Sequence, residues 1–221
     1  MFNVNFLSKD EVEGIHQATL RILGEVGVVL TYGPALDILT GSGATIKGNR
    51  VLFPADLVEK CLAKCPHMFS VRGRGGQVKT LGDGSLNFHN LGGARDIFDF
   101  GTGEHRFANL QDGRDATRLL DGLANCNTIT PFFTPLDVPG GMMSLSMYRH
   151  AIPYTTKPLQ GPGVQFAPEA FYAVKMAEVI GPAKEIMTLS VSPVSPLTIP
   201  DHEAQAIMEI ARLGITFGSL P

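Results

Sequence analysis

The second half of this chain repeats one unit: a short apolar strand, a stretch rich in Pro and Gly, and an amphipathic helix. The strand segments are Thr128–Phe133, Thr156–Gln160, Ile186–Val191 and Ile215–Gly218, their starts about thirty residues apart. That spacing is the length of a parallel strand plus its covering helix. Four such units amount to half of a (β/α)8 barrel. The expected fold is α/β: the first half of a TIM barrel over residues 109–221, preceded by an N-terminal helical segment and a small β meander over residues 1–108. Open doubly wound sheets use the same unit. The regular spacing favours the barrel, as do the prolines at strand exits: Pro135, Pro139, Pro162, Pro193, Pro196 and Pro221.

Ahead of the repeats, Ser8-Lys9-Asp10-Glu11 has the form of a helix capping box. An apolar stripe, Val12, Ile15, Thr19, Ile22, Leu23 and Val26, follows to Gly27, which is placed to end the helix. Gly48-Asn49 between Thr45–Lys47 and Arg50–Phe53 signals a hairpin, and Pro54 opens the next helix. Cys61 and Cys65 continue that helix's apolar stripe, so both are expected to be buried, as is Cys126. Short extended pieces broken by glycine between residues 68 and 107 predict an antiparallel meander. Asn109 caps a helix with the stripe Ala116, Leu119, Leu120, Leu123. The crossover helices are expected over 142–149, 168–180 and 201–213.

Composition narrows the function classes. A net charge of -3 leaves no basic footprint for nucleic acid or an acidic membrane surface. No run of eighteen apolar residues is present, and Met1–Phe6 lacks the basic and apolar regions of a secretion signal. A cytoplasmic protein is the expectation. Three cysteines and six scattered histidines form no metal-binding spacing, so no metal is assigned. Asp201-His202-Glu203 is acidic, but consecutive helical residues point about 100° apart; a negative first turn meeting the helix dipole explains it.

In a barrel the chemistry gathers at the C-terminal ends of the strands. Asp137 is the only carboxylate at those exits, a candidate counter-ion or acceptor for substrate that a turn also explains. Gln160 can offer an amide. Ser192 stands at another exit, without a nearby His–Asp pair to make it a nucleophile. Asn90 lies in the Gly-rich stretch Asn90-Leu91-Gly92-Gly93, whose backbone can approach a ligand closely. Arg72–Gly76 lacks a phosphate-loop context and reads as a hairpin turn with exposed arginines. Among Phe132, Phe133, Tyr148 and Phe166, which can face a cation, Phe133 is nearest a strand exit.

Taken in order, several stretches resemble the trimethylamine methyltransferase family, which includes glycine betaine:corrinoid methyltransferases. They are His16–Val28, Gly43-Ala44 with Val51–Pro54, Cys65-Pro66 to Arg72, Asp99–Arg106 leading to Asp112, Leu119–Asp121, and Ser192–Leu197. The resemblance implies a barrel enzyme that moves a methyl group from trimethylamine or a quaternary amine to a corrinoid (cobalamin) carried by a partner protein. The corrinoid is not expected to be held by this chain itself. The resemblance also implies that the catalytic residues lie beyond Pro221 and that residues 1–221 alone are inactive. Self-association is left open. Strand edges near Thr128 and Ile215 are expected to be exposed. Two other readings stand beside this one. The first is a catalytically silent piece that only binds a ligand or partner. The second is an unrelated barrel lyase, which would need a Schiff-base lysine where Lys157 is poorly placed.

Overall fold

A computed structural model describes residues 6–161 and 163–219 as an α/β chain in two compact units. Residues up to Cys65, together with Pro193–Ala204, form the first. Its elements are α1 (Lys9–Arg21), β1 (Val28–Val29), α2 (Gly33–Gly41), β2 (Thr45–Lys47), β3 (Arg50–Leu52) and α3 (Ala55–Leu62). The expected capping box is formed, Ser8 Oγ accepting from the Glu11 N–H at 3.2 Å. One wide π turn, Ile22–Val26, follows α1 and ends at Gly27. The hairpin at Gly48-Asn49 is also formed, and β3 pairs antiparallel with both β1 and β2. Residues after Pro193 lie against β1: Val29 N–H donates to Leu197 O at 2.8 Å, and Ile199 N–H to Val29 O at 2.9 Å.

One expectation fails in this unit. Cys61 and Cys65 are exposed, as are Val12, Ile15, Ile22 and Val26 of the α1 stripe. Helical spacing gathers side chains onto one face, but burial requires another element to cover that face.

The second unit, Pro66–Ser192 with the residues from Gln205, holds the repeats. It begins with β4 (Phe69–Arg72), β5 (Val78–Leu81), β6 (Phe88–His89), β7 (Asp96–Phe98) and β8 (His105–Phe107). There follow α4 (Leu110–Gly122), β9 (Cys126–Thr128), α5 (Met143–Ala151), α6 (Ala167–Glu178), α7 (Ala183–Ile186), β10 (Leu189–Val191), α8 (Asp201–Leu213) and β11 (Phe217–Ser219). The segment 68–107 is not one meander. It makes two separate antiparallel hairpins, β4–β5 and β7–β8, while β6 leaves to pair parallel with β9. The edge beside Thr128 is therefore covered rather than open.

From β9 onward the chain makes a parallel ladder. Ile129 N–H donates to Pro158 O at 2.9 Å and Gln160 N–H to Ile129 O at 2.8 Å. Gly161 N–H donates to Thr188 O at 2.7 Å, Val164 N–H to Ser190 O at 2.9 Å, and β10 pairs parallel with β11. The third predicted strand starts late because Pro182 opens the short helix α7, which takes Ile186; the strand itself begins at Leu189. The second contributes only single bridges, at Leu159 and Gly163, the prolines on either side removing donors.

Alternation along the strands separates two faces. Ile129, Leu159, Leu189 and Val191 are buried against Tyr148 and Ala151 of α5, Ala170, Ala173 and Ala177 of α6, and Ile210 of α8. Small residues on α6 let helix and strands approach closely. Each large apolar side chain removed from water there contributes about 1.5–3 kcal/mol. Thr130, Gln160 and Ser190 occupy the alternate positions and are only half-buried. The strands are thus apolar toward the helices and polar on the other side.

Candidate functional site

The polar side begins with β6. Just past it, the Asn90 side chain takes the place of the next rung in the parallel ladder. Its Nδ2 donates to Thr130 O at 2.7 Å, and Thr130 N–H donates back to Oδ1 at 3.1 Å. The second Nδ2 proton goes to Leu91 O at 2.8 Å, so both amide donors are used. Thr130, held by its backbone, donates its hydroxyl to Gln160 Oε1 at 3.0 Å. Gln160 Nε2 makes no hydrogen bond among the described residues, and it is not sealed from solvent.

Two glycines permit this arrangement. A Cβ on Gly92 would sit 2.8 Å from Pro131 O and from Thr130 Cγ2, and a Cβ on Gly161 would run into the Thr188 carbonyl. Real side chains do not tolerate such contacts, so neither strand exit could come this close with any other residue.

Of the residues singled out in the sequence, the structure brings Asn90 and Gln160 together through Thr130. In the sequence Thr130 reads as part of the strand body; the hydroxyls at alternate positions Thr128 and Thr130 are the available signal. Phe133 and Asp137 stand elsewhere, at the start of α4. Phe133 packs edge-on against Phe132, ring centroids 4.7 Å apart, and lines a small pocket with Leu110, Pro131, Met147 and His150. The pocket has room for about one water molecule. Asp137 Oδ1 accepts the Leu110 N–H at 3.0 Å, tying the loop after β9 to the first turn of α4. His150 Nδ1 accepts from the Arg114 guanidinium at 3.0 Å; burial, with Arg114 and Arg149 nearby, holds the imidazole below its ordinary pKa and neutral. Ser192 is exposed and bonds to none of these groups. Tyr148 is wholly buried in the core, which removes it from the aromatic candidates.

Lys157, Arg72 and Arg74 are engaged structurally. Lys157 Nζ donates to Leu120 O at 2.9 Å and Leu123 O at 2.7 Å, closing the C-terminal end of α4. The β4–β5 turn is a hairpin turn as expected, but its arginines are not free. Arg72 Nε lies 3.1 Å from Glu185, and Arg74 donates to the carbonyls of Pro153 and Thr155. Among the described residues no three His, Cys, Asp or Glu side chains are grouped to hold a metal ion. No described helix is long and apolar enough to cross a membrane.

An uncharged row of amide and hydroxyl groups at parallel strand exits accords with binding a small polar molecule. The family model described as Trimethylamine methyltransferase (MTTB) matches residues 1–221. The chain belongs to this family. It is similar to a glycine betaine methyltransferase of Desulfitobacterium hafniense strain Y51, 26% identical over 218 residues, 95% of this chain and 45% of the relative. A trimethylamine methyltransferase of D. hafniense strain DSM 10664 / DCB-2 is 26% identical over 228 residues, 99% of this chain and 46% of the relative. Over a shorter stretch of 78 residues, 35% of this chain and 16% of the relative, a proline betaine:corrinoid methyltransferase of Eubacterium limosum is 35% identical. The chain thus spans about half the length of the first two family members, and the family membership found in the sequence stands.

Proposed function

We propose that this chain is part of an enzyme that transfers a methyl group from a methylated amine to a corrinoid protein, and that its parallel strands are the first four of a (β/α)8 barrel. The match to the family over residues 1–221 carries the reading. The polar face formed by Thr130, Gln160 and Ser190 supports it, because it opposes the helix-covered face, where a barrel keeps its interior.

The corrinoid, carried by a separate protein, supplies a Co(I) centre as methyl acceptor. The C–N bond breaks with its electron pair kept by nitrogen, so a quaternary ammonium leaves as a neutral amine. This chain's part is to hold that cation without over-stabilising its charge, since only interactions stronger in the transition state than in the ground state accelerate transfer. A row bearing no carboxylate meets that requirement. Asn90 positions Thr130, and Gln160 faces the substrate. Ser192 at the next exit and Phe133 beside α4 remain second-line contacts to substrate, Asp137 is given to the first turn of α4 through the Leu110 N–H, and the catalytic residues are assigned beyond Pro221. On this reading residues 1–221 alone bind amine without turning it over.

The test supplies the full polypeptide carrying this sequence with a corrinoid protein reduced to Co(I) and follows loss of the Co(I) absorbance. Methyl transfer from trimethylamine, glycine betaine, carnitine or proline betaine is the expected result. No transfer from any of the four overturns the proposal.

A further inference from the structure

The hydrogen bonds at Gln160 bear on which methylated amine is bound, a question that rests on the function just proposed. The Thr130 hydroxyl donates to Oε1 at 3.0 Å, an arrangement that leaves Nε2 on the open side. Asn90 holds the Thr130 backbone by both its N–H and its carbonyl, which fixes the point from which the hydroxyl reaches Gln160. What Gln160 has left is Nε2: donor protons, accessible from solvent, with no acceptor among the described residues. Its backbone N–H is already bonded to Ile129 O at 2.8 Å and cannot take part. A group that only donates selects a ligand that accepts. Trimethylammonium and tetramethylammonium carry no acceptor atom; an N-methylated amino acid carries a carboxylate.

We propose that the Gln160 amide, oriented by Thr130, binds the carboxylate of a zwitterionic betaine and so makes the site selective for betaines over simple methylamines. Asn90 and Thr130 are positioning residues in this arrangement. Among the described residues no ionised side chain bonds to the row, and this has a consequence here. The amide can hold the carboxylate end without a fixed negative charge beside the ammonium end.

Binding is measured by isothermal titration calorimetry on residues 1–221, with glycine betaine as probe and tetramethylammonium as the comparator lacking a carboxylate. No methyl transfer is needed, so failure of the catalytic proposal and failure of this one are separable. Gln160→Met is expected to weaken glycine betaine about tenfold or more, the value of a hydrogen bond to a charged group, and to leave tetramethylammonium within about twofold. Gln160→Glu, which keeps the shape but turns an acceptor toward the carboxylate, is expected to abolish glycine betaine binding while retaining tetramethylammonium. Thr130→Val keeps Nε2 and frees the amide, and should give an intermediate loss for glycine betaine alone. Far-UV circular dichroism and thermal midpoint identify any variant that is misfolded, and the others then decide. Equal loss for both probes, no loss in any folded Gln160 variant, or no glycine betaine binding by the wild type overturns the proposal. Methyl transfer from some other amine would leave the broader function standing.

Discussion

Asn90 grips Thr130 by both polar atoms of its backbone, at 2.7 and 3.1 Å, and so continues a two-residue strand as though it were longer. The β6 strand pairs at only two positions, Phe88 with Cys126 and His89 with Thr128. Without the side-chain rung, the Thr130 peptide at the strand exit would lose both of its partners. The geometry of the polar row thus depends on an amide that spends all its own donors on the protein.

Replacing Asn90 by Ala should therefore cost about 1–2 kcal/mol, since two backbone groups lose partners at a half-buried site. Urea unfolding reads the loss. A change within a few tenths would mean that water satisfies Thr130 equally well.

A second prediction concerns the start of α4. Asp112 takes a bidentate bond from Arg106 at 2.7 and 2.8 Å and the Asn109 N–H at 2.8 Å, while Asn109 caps the Gln111 and Asp112 N–H groups. The Arg106 guanidinium, with the Asn109 N–H, holds the carboxyl below the usual carboxylate range against the opposing effect of burial. A carboxylate whose folded pKa is depressed stabilises the fold above its unfolded pKa of about 3.9 and loses that contribution as pH falls through the folded value. Asp112→Asn should cost about 1–2 kcal/mol at pH 7. The gap to wild type should narrow as acid protonates Asp112. A constant gap from pH 7 to pH 3 would contradict this.

Gly161→Ala should destabilise by about 1–3 kcal/mol, because the added methyl meets the Thr188 carbonyl and one of the two strands must shift. The same shift moves Gln160, so amine binding should fall together with the urea midpoint. Unchanged stability would place the two strands farther apart than described.

Lys157→Met removes two hydrogen bonds to the carbonyls at the end of α4 and should cost about 0.5–1 kcal/mol. Amide hydrogen exchange should quicken over the last turn of α4 and not in α6. Uniform quickening would show a global rather than a terminal effect.

The helices were legible because each carries its period and its punctuation. Asn109 and Asp112 announce α4, and α8 runs over Asp201–Leu213 as its stripe and the preceding Pro200 suggest. The strands were legible as apolar runs, although Pro182 converted the expected start of one into a helical turn. Their pairing was not. Phe88–His89 joins Cys126–Thr128 across nearly forty residues, and a two-residue strand among glycines has no periodicity to reveal its partner. For Cys61 and Cys65 the face was readable, but its cover was not. At the site, Gln160 and Asn90 could be named one at a time, while the link between them, Thr130, exists only once three strands lie side by side.

The most direct measurement is a nuclear magnetic resonance titration of 15N-labelled protein with glycine betaine, following backbone and side-chain amides. The account predicts that the Gln160 side-chain NH2 and the backbone amides of Thr130, Gln160 and Gly161 shift together with one affinity. Shifts confined to other segments, such as the β7–β8 hairpin or the pocket at Phe133, or no shifts at all, would contradict it.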